Sequence, residues 1–143
     1  MGFIDCVVVL CLALAFVEGK YNWVKAKENW KVCVAETGAV EDMEAVLRKE
    51  IVPTSDKGMC LVDCLMRTEK IYDSEGKYNR EGTKEYFSEL LEEQPEMIEK
   101  AMASADECSK IDVEGLDRCE AAVKHLTCAR AKFVQYNIKV NKD

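Results

Sequence analysis

Cysteine and histidine are the side chains that bring redox, metal and nucleophilic chemistry to a site, and this chain of 143 residues has eight of the first and one of the second. Cys33, Cys60, Cys64, Cys108, Cys119 and Cys128 lie in the body of the chain, whereas Cys6 and Cys11 fall in an apolar leader. An even set of six in a small exported chain reads as a disulfide framework. A zinc site would want Cys-x-x-Cys pairs or paired histidines, and the sequence has neither. Nucleophilic catalysis needs a thiol or hydroxyl beside a base. With six thiols cross-linked and His125 the only imidazole, no such pair is on offer, so the chemistry expected is oxidative stapling without enzymatic turnover, cofactor or metal.

Export is read from residues 1–19. Cys6 to Val17 is an uncharged apolar run of 12, too short to span a bilayer but suited to the core of a signal peptide cleaved after Gly19. The segment lacks Lys and Arg and carries Asp5, so its free amino group must supply the positive charge. Residues 20–143 then form one domain, secreted and extracellular. The formal net charge is −7, and loss of Asp5 and Glu18 with the leader leaves it negative. An acidic chain has no electrostatic footprint for nucleic acid or anionic lipid, and no other apolar run reaches membrane length, so no stable membrane insertion is expected.

The elements that must hold these cysteines are all helical. Trp23, Ala26, Trp30 and Cys33 recur at three- and four-residue steps, which predicts an amphipathic helix over 22–36, closed by Thr37-Gly38. Val40, Met43, Val46 and Leu47 repeat the pattern over 40–50, stopped at Pro53. Ser55 or Asp56 caps a central helix running to about Tyr72. Asp73 to Asn79 is a turn, and its misplaced Gly76 denies it the ligand ladder of a calcium loop. Further helices are expected over 83–93, from Pro95 through Cys108, and over 115–136, followed by the tail 137–143. No strand of period two is evident.

Cys60 and Cys64 stand on neighbouring turns of one helix face, with roughly parallel Cβ vectors, so each should bridge outward to a different segment. On the last helix Leu116, Cys119, Val123, Leu126, Phe133 and Val134 form a stripe, with Cys128 nearly opposite Cys119. That helix is therefore clamped from two sides. Spacing alone does not choose among the 15 possible pairings of six cysteines.

The order Cys-x26-Cys-x3-Cys-x43-Cys-x10-Cys-x8-Cys resembles that of the insect odorant-binding proteins, the pheromone-binding and general-odorant-binding family. Cys64-Leu65, Ile71-Tyr72-Asp73 and Gly76-Lys77-Tyr78 add to the likeness, which covers Lys20 to Asp143. The resemblance implies an all-α, six-helix bundle around an apolar cavity, locked by the bridges Cys33–Cys64, Cys60–Cys119 and Cys108–Cys128. It implies a carrier of small hydrophobic ligands such as odorants or pheromones, as a monomer or weak homodimer in sensillum lymph or haemolymph, with a membrane odorant receptor as a further partner. The alternative is a secreted carrier or scavenger outside olfaction, for amines or lipids. His125-Leu126-Thr127-Cys128 shares its spacing with secreted phospholipases A2, but the doubled cysteine, the following Asp and the glycine-rich calcium loop are absent.

The cavity wall is expected to include Val46, Leu47, Met66, Tyr86, Leu90, Met102, Val123, Leu126 and Phe133. Met59, Met66, Met97 and Met102 offer adaptable thioethers for a pocket, or simply fill a core. Arg130 falls inside the stripe and either meets a polar ligand head or snorkels to the surface. His125, beside Lys124, is placed at a solvated or half-exposed position off the stripe, and Trp23 and Trp30 against the body of the fold. Tyr136, Ile138 and Val140 either fold back as a lid or fray with the tail.

Overall fold

Side-chain caps and left-handed residues set the helix boundaries. In the computed structural model, which describes residues 21–92 and 94–142, the expected leader 1–19 lies outside the described residues. Asn22 accepts a hydrogen bond from the Lys25 N–H and opens α1, Trp23–Thr37. Gly38, at φ +69°, closes it by donating to Val34 O. Ser55 caps α2, Asp56–Thr68, by accepting from the Gly58 N–H. Asn79 does the same for α3, Arg80–Leu90, and Asp117 for α5, Arg118–Gln135. Pro95 starts α4, Pro95–Cys108.

Several boundaries differ from the periodicity reading, for local reasons. The central helix stops at Thr68 instead of Tyr72, because Lys70 takes a positive φ of 61° and Ile71 N–H bonds back to Met66 O. The next helix begins three residues early because Asn79 is a working cap. The last one starts at Arg118 because Gly115, at φ +80°, cannot continue a right-handed helix. Only Glu44–Arg48 of the expected 40–50 helix is regular, and it is π-helical, with the Lys49 N–H reaching back to Glu44 O. Among the described residues there are thus six helical elements and no strand beyond an isolated Tyr72–Tyr78 bridge.

α2 packs against α5 and α1, and α4 against α3 and α5. The sulfurs pair as Cys33–Cys64, Cys60–Cys119 and Cys108–Cys128, so α2 and α5 each carry two bridges and send them to different neighbours. Asp63, buried on α2, adds a polar cross-tie: its carboxylate takes Arg67 Nε at 3.0 Å and Arg118 Nε at 3.1 Å. Arg67 continues to Glu36 on α1 at 2.6 Å, and Arg118 to Ser74 O in the turn before α3. The apolar interior falls into three clusters. Trp30, Ala39, Val46 and Leu61 join α1, the π segment and α2; Phe87, Leu91, Met102 and Ile138 join α3, α4 and the tail; Val62, Tyr72 and Ala122 join α2 to α5. Three members of the expected α5 stripe fall outside them: Leu116 precedes the helix, Cys119 is taken up by its bridge to Cys60, and Val134 is 83% exposed.

Gly82 shows how tightly α3 is seated, since a Cβ there would stand 2.0 Å from the Lys70 carbonyl oxygen. Gly82→Ala should therefore cost about 3 kcal/mol or more in urea unfolding. Gly115→Ala, whose Cβ would meet nothing within 4 Å, should lose only the left-handed backbone preference, about 1–2 kcal/mol. Equal losses would contradict this seating.

Candidate functional site

The three clusters do not merge into a solid core. Between them lies a cavity of about 240 Å³ to which every helical element and the tail contribute. α5 offers the longest wall: His125, Leu126, Ala129, Arg130 and Phe133 follow the three- and four-residue steps of one helix face. Facing it are Val62, Leu65 and Met66 of α2, Val46 and Leu47 of the π segment, and Tyr86, Phe87 and Leu90 of α3. Ala105 and Cys108 of α4 and Ala26 of α1 complete the apolar lining.

Of the residues expected from sequence, Val46, Leu47, Met66, Tyr86, Leu90, Leu126 and Phe133 stand on this wall, as does Arg130. Met102 and Val123 do not. Met102 is turned into the solid cluster with Phe87, Leu91 and Ile138, while Ala105 and Cys108 carry the cavity-facing edge of α4. Val123 is packed against the cluster of Val62, Tyr72 and Ala122 instead. Of the four methionines weighed as lining residues, only Met66 reaches the wall.

Arg130 neither snorkels nor stands free. Its guanidinium donates to the carbonyls of Val46 and Glu50, tying α5 to the end of the π segment. These are carbonyls that a helix end leaves without partners. Burial pulls the guanidinium below its ordinary range, and the nearby Glu50 carboxylate opposes that shift.

The tail folds back. Asn137 takes a left-handed φ of 54°, Ile138 is buried beside Phe87 and Leu91, and Val140 and Lys142 reach the cavity wall. Lys142 Nζ donates to Leu47 O at 2.6 Å and meets Glu50 Oε1 at 3.0 Å, while its carbonyl accepts from Trp23 Nε1 and Arg48 Nη1. The chain's last described turn is thus clasped to both α1 and the π segment.

His125 is half-buried but faces the cavity, which the stripe reading missed because it sits one residue before Leu126 on the same turn. Its Nδ1 lies 2.5 Å from the Tyr72 hydroxyl, and its Nε2 is sealed from solvent with no partner. Burial, then the charge of Lys124, holds its pKa below the usual imidazole range, favouring the neutral ring. Burial, then Asp63, pushes the Tyr72 phenol above its ordinary range, so it remains a protonated partner. Sequence gave no signal for Tyr72, which reaches the site only because the chain turns sharply after Thr68. Asn29 and Glu69 form a second polar edge, with Asn29 Nδ2 donating to Glu69 Oε1 at 2.6 Å and Lys25 3.5 Å from the other carboxylate oxygen. No group of three or more His, Cys, Asp or Glu side chains that could hold a metal occurs among the described residues. No helix of the described residues is long and apolar enough to cross a membrane.

This chain is similar to known proteins in sequence and in fold. The general odorant-binding protein 28a of Drosophila melanogaster is 30% identical over 128 residues, covering 89% of this chain and 87% of that protein. The general odorant-binding protein 19d of the same fly is 26% identical over 137 residues, covering 94% and 90%. The solved structure of the Drosophila melanogaster odorant-binding protein dmelOBP28a superposes with a TM-score of 0.68 at 27% identity, covering 82% of this chain and 96% of that one. The profile of the PBP/GOBP family matches residues 20–132, most of the chain, and this protein belongs to that family.

Proposed function

We propose that this protein is a carrier that takes one small hydrophobic molecule into the cavity and conveys it through aqueous extracellular fluid. One observation supports the reading above the others: an apolar hollow of about 240 Å³ persists at the meeting point of every helical element. A solid core would be better packed and more stable, so the space needs a reason. Membership of a family of odorant-binding carriers supplies one. Burying about 300 Å² of apolar ligand surface gains roughly 7–8 kcal/mol, which places affinity near the micromolar range. That is tight enough to raise the amount of a poorly soluble molecule in water and weak enough to release it. Export by a cleaved leader at 1–19, action as a monomer or weak homodimer, and delivery to a membrane odorant receptor complete the proposal.

Displacement of a fluorescent apolar probe by volatile alcohols, esters or fatty acids is the direct assay. Ala129 lines the cavity on α5, so Ala129→Phe should fill the hollow and weaken probe binding at least about tenfold with an unchanged helical circular-dichroism spectrum. Unchanged affinity in that variant would place the probe elsewhere.

The tail supplies both wall residues and a clasp, whereas His125 supplies one wall residue. A chain ending at Tyr136 should therefore lose more affinity at neutral pH than His125→Ala. Titration of the two variants checks this, and the reverse ranking would overturn it.

A further inference from the structure

The cavity is apolar along most of its wall, but its few polar groups are not equivalent. Two cations, Arg130 and Lys142, and two carboxylates, Glu50 and Glu69, reach it, so their formal charges cancel and neither sign of ligand is favoured. The acceptors are already engaged: Glu50 Oε1 by Lys142, and the Glu69 oxygens by Asn29 and Lys25. The donors are not. A guanidinium has five N–H groups, and the bonds of Arg130 to the Val46 and Glu50 carbonyls leave some of them unused.

Tyr86 is the second donor. Its ring, partly buried on α3, packs against Phe87 and lines the cavity. No protein partner for its hydroxyl occurs among the described residues. Yet that hydroxyl is not a sealed orphan, a state that among the described residues belongs to His125 Nε2. Tyr86 borders a smaller recess beside Tyr21, Lys25 and Glu89 as well as the cavity, and the cavity is the space it shares with Arg130. Burial, then Tyr21 and Glu69, pushes its pKa far above the ordinary range, so it keeps its proton and can donate; Arg130 is near enough to oppose that shift.

We propose that Tyr86 and Arg130 form the polar anchor of the cavity, selecting neutral hydrophobic ligands that carry a hydrogen-bond-accepting carbonyl oxygen, as ketones, aldehydes and esters do. This rests on the carrier reading and narrows its ligand class. A hydrocarbon of the same shape fills the same space but leaves both donors without a partner. A carboxylate sheds its hydration on entering a cavity whose formal charges cancel, so it gains no net electrostatic return. The Tyr72–His125 pair is the competing anchor, but its hydroxyl and Nδ1 already satisfy each other.

The test compares a medium-chain methyl ketone, the alkane of equal length and the fatty acid of equal length as competitors of a fluorescent apolar probe. Wild type, Tyr86→Phe and Tyr72→Phe are titrated in parallel. The ketone should bind tighter than the alkane to wild type, and Tyr86→Phe should weaken the ketone about three- to tenfold while leaving the alkane unchanged. Equal losses for ketone and alkane would make Tyr86 a packing residue only and overturn the proposal. So would loss of ketone affinity in Tyr72→Phe alone, or tighter binding of the fatty acid than of the ketone. If all three displace the probe equally from every variant, the carrier stands and the anchor falls. If none displaces it from wild type, the carrier reading falls and takes the anchor with it.

Discussion

A hollow protein must be held open against its own tendency to collapse, and here the holding is covalent. Cys60–Cys119 brings the Cα atoms of α2 and α5 within 4.5 Å of each other. From that junction Cys64 reaches back to α1 and Cys128 across to α4. A void of about 240 Å³ forgoes packing worth on the order of 6 kcal/mol at about 24 cal/mol per Å³. Bridges closing loops of this length contribute roughly 3–4 kcal/mol each, though not additively. The sulfur framework is large enough to carry the cavity; ordinary surface ion pairs, at about 0–1 kcal/mol, are not.

The elements without disulfides are held by other means, and those means shape the site. The π segment is fastened through its carbonyls, which accept from Arg130 on α5 and from Lys142 in the tail. α3 is fastened by close approach of Gly82 to the Lys70 carbonyl and by burial of Phe87 and Leu91. The cavity thus has a rigid side, α2 with α5, and a side closed by hydrogen bonds and apolar contact, made of the π segment, α3 and the tail. Ligand passage through the second side needs no covalent bond to break.

Much of this was legible in the chain. Cysteine parity, the outward aim of Cys60 and Cys64 and the helical periodicity fix an all-helical stapled architecture. The connectivity needed the family resemblance, because parity and helix geometry leave several pairings open. Wall residues on a clean helical stripe, such as Leu126 and Phe133, could be named from spacing. Met102 and Val123 could not be sorted from them, because a residue facing a void and one facing a solid cluster carry the same apolar signature. Tyr72 and the clasp at Lys142 were hidden for another reason. Each reaches the cavity through a turn or a folded-back segment whose course depends on single positive-φ residues, Lys70 and Asn137. Periodicity is silent about those.

The central claim is that the sulfur framework keeps an apolar hollow open for a ligand. Its most direct measurement is a titration of one fluorescent apolar probe into the oxidised protein and into the same protein fully reduced and alkylated. The account predicts saturable one-to-one binding near the micromolar range for the oxidised form and its loss on reduction. Binding of equal strength in both forms, or none in the oxidised one, would contradict it.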